Sequence, residues 1–191
     1  MSRNEIEGQL FDGQDYRTEA LSKGDYEDCR FTNCNFSKSK LSHSNFVDCL
    51  FEDCDLTMAQ LADTGFREVV FLRCKLIGLH FEDCNAYSLD VRFDACQLDL
   101  SAFFKRSLKG MTFENCSLKE VDFVEADLTE ARFHNCDLTG AMFENSLLEK
   151  ADFRTATNFS IDPEMNRLQK ARFSRHGLHG LLHKYNIQIE E

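Results

Sequence analysis

The sequence predicts a solenoid, a chain wound into stacked coils of twenty residues and closed at its C-terminal end by a short helical tail. Three observations predict it. Large apolar residues recur at every fifth position, from Phe11 through Tyr16, Leu21, Tyr26 and Phe31 to Phe81, and again from Phe93 through Leu98 and Phe103 to Phe153. A small residue recurs two places earlier, as at Cys29, Cys34, Ser39, Ser44, Cys49 and Cys54, then Cys96, Ser101, Cys116, Val121, Ala126 and Ala131. At twenty-residue spacing the large residues repeat by type: Phe93, Phe113, Phe133 and Phe153 form one set and Phe103, Phe123 and Phe143 another, with leucines at Leu98, Leu118, Leu138 and Leu108, Leu128, Leu148 between them. Neither a helix of period 3.6 nor a strand of period 2 holds every fifth residue on one face, so a fixed period of this length signals a repeat architecture.

The stretch Ala126-Asp127-Leu128-Thr129-Glu130, Ala131-Arg132-Phe133-His134-Asn135, Cys136-Asp137-Leu138-Thr139-Gly140 resembles the pentapeptide-repeat family, whose consensus is small, Asp or Asn, Leu or Phe, then two variable residues. The resemblance covers residues 24–155, with a looser extension back to residue 6. It implies an all-β fold, a right-handed quadrilateral β-helix with four pentapeptides per coil. Stacked at roughly 4.8 Å per coil, the run from Tyr26 to Phe153 makes a narrow, fully packed rod of about 31 Å.

Taken in order, residues 1–157 read as the β-helix and residues 158–191 as a capping tail. The first coil, up to about residue 23, is undecided, because Gln9, Gln14 and Glu19 stand where small residues belong. From Tyr26 to Phe81 the pattern is regular. Between Ala86 and Phe93 the interval is seven instead of five, a register slip within 87–92 that is most simply an insertion of Leu89 and Asp90. One coil later Arg106 occupies an inward slot, where an unpaired guanidinium would cost several kcal/mol, so the coil is expected to distort there. These irregularities should be stacked neighbours. Leu89, Asp90, Lys105 and Arg106 are then either an accommodated insertion or a partner-contact loop, since function concentrates in loops on rigid scaffolds. Past Asn158, Asp162 and Pro163 read as the start of a helix through Arg172. Leu178, Leu181, Leu182 and Tyr185 form an apolar stripe at α-helical offsets, followed by Ile187 and Ile189 in strand-like alternation.

Composition narrows the function. The 191 residues carry 22 Lys plus Arg against 33 Asp plus Glu, a net charge of −11. Such a surface repels phosphate backbones, so direct nucleic-acid binding is not expected. No segment reads as a membrane span or a leader, and nine Cys, an odd number, suit a reducing cytoplasm better than a secreted disulfide framework. All nine thiols fall in the small inward slot, which reads as packing; metal or redox use is the alternative, although no Cys-x-x-Cys occurs. His176, His179 and His183 cluster without a Cys or carboxylate beside them. No catalytic constellation, cofactor motif or metal motif is present, and the chain is expected not to be an enzyme.

The tail segments Asn-Phe-Ser-Ile-Asp-Pro-Glu-Met-Asn-Arg and Leu-Leu-His-Lys-Tyr-Asn-Ile resemble those of pentapeptide proteins that protect bacterial type II topoisomerases: the albicidin-resistance, microcin B17 immunity and quinolone-resistance groups. That resemblance implies a homodimer joined end to end through Leu178, Leu181, Leu182, Tyr185 and Ile187. It also implies DNA gyrase or topoisomerase IV as partner, protected from a poison or toxin by a rod that imitates DNA. The acids facing the enzyme would be Asp122, Asp127, Asp137, Glu144, Glu149 and Asp152; the plain alternative is a solvated surface. A pentapeptide-repeat scaffold binding some other protein is the competing expectation.

Overall fold

The computed structural model describes residues 4–85, 87, 89–188 and 190. Its geometry follows from one backbone device. Two places after each large residue the chain adopts a left-handed conformation, with φ of 51° at Asp28, 54° at Asn33, 58° at Lys38 and 63° at His43. Each such corner turns the chain onto a new wall, and four corners return it to its start after twenty residues. Short strands of successive coils therefore pair in parallel: Tyr26 with Phe46, Phe46 with Phe66, and Phe31 with Phe51.

Each wall presents a ladder of large side chains to the interior. Wall 1 carries Phe11, Phe31, Phe51, Phe71, Phe93, Phe113, Phe133, Phe153 and Phe173, stacked with ring centroids 4.7 to 5.6 Å apart. Wall 2 runs through Phe36, Leu56, Leu76, Leu98, Leu118 and Leu138, and wall 3 through Leu41, Leu61, Phe81, Phe103, Phe123 and Phe143. Tyr26, Phe46, Phe66, Leu108, Leu128 and Leu148 line wall 4. Rings from the opposed walls 1 and 3 meet edge to face, as at Phe103 and Phe113, 6.0 Å apart at 83°. Stacking within a wall and edge-on contact across the rod are the two favourable aromatic arrangements, and together they fill the interior.

The first coil forms. Asn4–Glu7 pairs with Gly24–Glu27 and Leu10–Asp12 with Arg30–Thr32. Gln9, Gln14 and Glu19 stay exposed while Ile6, Phe11 and Tyr16 pack half-buried on the core beneath, so the polar slots belong to an end coil with nothing stacked above it.

The slip differs from its expected form. The corner due at Asp83 is replaced by a 3₁₀ turn, Phe81–Asp83, and the strand Leu89–Asp94 then pairs with Gly65–Leu72. Leu89 lies opposite Phe66 and packs against the core, so it takes the wall 4 position and is not an inserted residue. Asp90 also lies within that strand. The excess chain falls between Asn85 and Leu89, with Tyr87 almost wholly exposed at 99%; Ala86 and Ser88 lie outside the described residues. Nor does the coil distort at Arg106: its N–H reaches Phe103 O at 3.0 Å and its carbonyl accepts from Asp127 N at 2.9 Å, the regular pattern. The guanidinium, half-buried, donates to Asn85 O at 2.9 Å, which supplies a polar partner for the charged group.

The coil also outlasts residue 157. Leu147 bridges to Arg167, Asp152 bridges to Arg172, and Phe173 stacks 5.3 Å from Phe153, so residues 164–173 add a further partial coil. Asp162 and Pro163 open no helix; Asp162 caps a turn by accepting from Glu164 N at 2.9 Å. The tail proper is two 3₁₀ helices, Arg175–Leu181 and His183–Tyr185. With three residues per turn, Leu178 and Leu181 align on the first helix, while Leu182 lies between the two helices and Tyr185 on the second, so the four do not form a single α-helical stripe.

Candidate functional site

The six acids expected to face a partner do not share a face. Asp152 flanks wall 1, Asp137 wall 2, Asp122 and Glu144 wall 3, and Asp127 and Glu149 wall 4, because no two of them are separated by a whole coil of twenty residues. Most are engaged in building corners. The carboxylates of Asp122, Asp127 and Asp137 accept from the backbone N–H two residues on, at 2.8, 3.0 and 3.2 Å. For Asp137, burial works against the charge, but hydrogen bonds from Thr139, Asn158 and Lys119 hold the carboxyl down at about 2. Arg154 beside Asp152 likewise keeps that carboxyl below its ordinary range, with Arg172 adding a contact at 3.4 Å.

Wall 3 does concentrate charge. Its outer surface in the C-terminal half carries Glu120, Asp122, Glu125 and Glu144 against Lys105, which lies 3.3 Å from Glu125, and the half-buried Arg106 at its edge. Apolar side chains stand among them: Leu100, Phe104 and Met142 are exposed, and Lys105 Nζ sits 4.7 Å over the Phe104 ring. The Asn85–Arg106 hydrogen bond joins this wall to the Tyr87 excursion. Of the expected contact loop, Lys105 and Arg106 are therefore part of this surface, whereas Leu89 and Asp90 belong to the far side of the bulge. Sequence spacing alone places the insertion at Leu89 and Asp90 and so overlooks Tyr87; the signal it offers is a large aromatic beside Ser88 at the break in register.

The tail seals the rod through Phe159. Gly180 is buried beneath it, its carbonyl accepts from Ile161 N at 3.0 Å, and a Cβ there would lie 2.4 Å from Phe159 O. Lys184 fastens the second 3₁₀ helix by reaching Asp162 and Glu164, both at 2.7 Å. Leu181 and Leu182 are half-buried, with Leu181 packed on the core, while Leu178, Tyr185 and Ile187 are exposed; Ile189 lies outside the described residues.

The thiols form an interior column, Cys34, Cys54, Cys74, Cys96, Cys116 and Cys136, that crosses the slip, and all nine Cys are buried and free. They bond to backbone carbonyls, as Cys54 Sγ to Phe31 O at 3.3 Å and Cys74 Sγ to Phe51 O at 3.3 Å. Burial pushes the Cys49 and Cys84 thiols up to about 11 and about 12, away from the nucleophilic thiolate. Among the described residues no group of three His, Cys, Asp or Glu could hold a metal ion, and no helix is long and apolar enough to cross a membrane.

The family model described as the pentapeptide repeat region matches residues 25–89 and 86–159. The chain belongs to the pentapeptide-repeat family. Among solved structures it is similar to HetL, a pentapeptide repeat protein involved in heterocyst differentiation regulation from the cyanobacterium Nostoc sp. strain PCC 7120, with a TM-score of 0.72 and 18% identity over 91% of this chain and 89% of that one. It is also similar to a trypsin-treated form of QnrB1, a plasmid-mediated fluoroquinolone resistance protein, with a TM-score of 0.59 and 20% identity over 100% and 96% of the two chains. No curated protein sequence matches it. At these identities the likeness is one of fold, and it agrees with the four-walled parallel β-solenoid described above.

Proposed function

We propose that this pentapeptide-repeat protein binds a bacterial type II topoisomerase, DNA gyrase or topoisomerase IV, and protects it from a poison or toxin by occupying surface, without turnover. The observation that carries the reading is wall 3. There Glu120, Asp122, Glu125 and Glu144 line one side of the solenoid, near exposed Phe104, Met142 and Tyr87. An acidic rod imitates the field of DNA, and exposed aromatics of this kind anchor protein interfaces. The fold-level likeness to a fluoroquinolone resistance protein along the full chain supports the same direction. In this reading two copies join at their tails through Leu178, Tyr185 and Ile187, extending the acidic face, and the protein acts in the cytoplasm.

A second reading, a scaffold or regulator binding a protein other than a topoisomerase, is favoured by the higher TM-score to HetL. Gyrase supercoiling and poison-stabilised cleavage, measured with the parent and with the triple variant Glu120→Lys, Glu125→Lys, Glu144→Lys, test between them. The expected result is protection by the parent and none by the variant. A parent without effect on either reaction would turn the assignment to the second reading.

A further inference from the structure

Wall 1, opposite the acidic wall 3, has the reverse charge in its C-terminal half. A surface groove of about 900 Å³ runs there, bounded at its N-terminal end by Leu89 and Asp90 just after the Tyr87 excursion. Five Lys or Arg line it against three Asp or Glu, in a chain whose net charge is −11. Arg92, Arg132 and Arg172 occupy alternate rungs of one ladder, with Thr112 and Asp152 between them. Two coil steps separate successive arginines by about 9.6 Å, so the ladder spans about 19 Å. His134 and Arg154 form a parallel row, and Lys109 stands at the adjoining corner.

Part of this charge is already balanced. Glu114 faces Arg92 at 3.4 Å and His134 at 3.7 Å, and Asp152 faces Arg154 at 2.7 Å and Arg172 at 3.4 Å. Among the described residues Lys109 and Arg132 form no ion pair; Glu130, whose charge is favoured first by Lys150 at 2.5 Å, feels both only at longer range. Two exposed cations that make no ion pair thus stand within a basic groove on an acidic protein.

We propose that this groove binds an extended acidic peptide segment of a protein partner. Its dimensions and charge spacing favour that occupant. A chain rising about 3.3 Å per residue lays about six residues along 19 Å. The cations are discrete and separated by a threonine and an aspartate, which suits side-chain carboxylates spaced along a peptide better than the unbroken charge of a phosphate chain. A duplex would overhang walls 2 and 4, where Asp137, Asp127 and Glu149 repel it; a single extended peptide touches wall 1 alone. Arginine forks then receive carboxylates in bidentate fashion. This inference stands apart from the identity of the partner on wall 3, since it concerns the opposite face and opposite charge.

The test is fluorescence anisotropy with a fluorescein-labelled decaglutamate at low salt, decaglutamine as the neutral control, and tripolyphosphate and a ten-nucleotide oligothymidylate as competitors. Decaglutamate should bind, weaken as salt rises, and lose about tenfold or more in affinity in the double variant Lys109→Ala, Arg132→Ala. Both side chains are exposed and unpaired, so the variant should melt with the parent, while the wall 3 triple variant should bind decaglutamate at least as well as the parent. No binding, or equal binding by the double variant, would overturn the proposal. Tripolyphosphate or oligothymidylate binding more tightly than decaglutamate, with the same loss in the double variant, would overturn the peptide as occupant.

Discussion

Phe71 and Phe93 stack with ring centroids 5.6 Å apart and planes 15° from parallel, although 22 residues separate them where twenty separate every other pair in that ladder. The extra chain between Asn85 and Leu89 leaves the aromatic ladder undisturbed. Because aromatic stacking and the inward columns resume at once, the slip alters only the surface, which is why its consequences are sought at Tyr87 and Arg106.

The aromatic ladder should be indispensable. Phe123 is fully buried between Phe103 at 5.4 Å and Phe143 at 5.2 Å, and it meets Phe113 and Phe133 edge on. Phe123→Ala should destabilise the protein by about 3 to 5 kcal/mol, read from urea unfolding followed by circular dichroism. A change of under 1 kcal/mol would contradict the packing.

The cap should be sensitive to one methyl group. At Gly180 a Cβ would meet Phe159 O at 2.4 Å and its ring at 2.7 Å. Gly180→Ala should therefore detach the tail from the last coil and speed tryptic cleavage after Arg175 several-fold, while leaving the central rod folded. Unchanged proteolysis would show that the tail is held elsewhere.

Some corners should be improvable. Leu100 has φ of 60° and its side chain is exposed, so it bears the steric cost of a left-handed L-residue without packing to offset it. Leu100→Gly should raise the unfolding free energy by about 0.5 to 1 kcal/mol. A loss of stability in equilibrium denaturation would mean that Leu100 contributes contacts of its own.

Acid should weaken the corner at Asp137. Its carboxyl falls from an ordinary 3.8 to about 2 in the fold. A depressed folded value means that the stabilisation is complete above 3.8 and is lost as pH falls from there through 2, and its partial exposure limits it to roughly 1 kcal/mol. Stability measured from pH 5 to pH 2 should show this loss in the parent and lack it in Asp137→Asn; parallel profiles would refute the assignment.

Dimerisation should run through the exposed part of the tail. Leu178 and Ile187 are about half exposed, and a charge at Leu178 would be buried unpaired at any twofold contact. Leu178→Glu should halve the mass seen by light scattering without lowering the melting temperature. A monomeric parent at micromolar concentration would remove the tail from the interface.

The five-residue pattern of size was enough to determine the coil, its twenty-residue pitch and the inward ladders, because interior positions repeat identically and each obeys one local constraint: a large residue on the wall, a small one before it, a corner after it. The same pattern accounted for nine cysteines as packing. What it left to the tertiary structure were the places where a residue's partner lies outside its own repeat. Leu89 and not Asp90 fills wall 4 because the strand can re-register against Phe66. Arg106 stays in line because Asn85 O is within reach. Asp162 and Pro163 make a turn, since residues 164–173 gain more by stacking on the preceding coil than by forming an isolated helical turn. Outward side chains obey no interior constraint, so the division of charge, acidic along wall 3 and basic along wall 1, emerges only when twenty-residue coils bring distant residues onto one face.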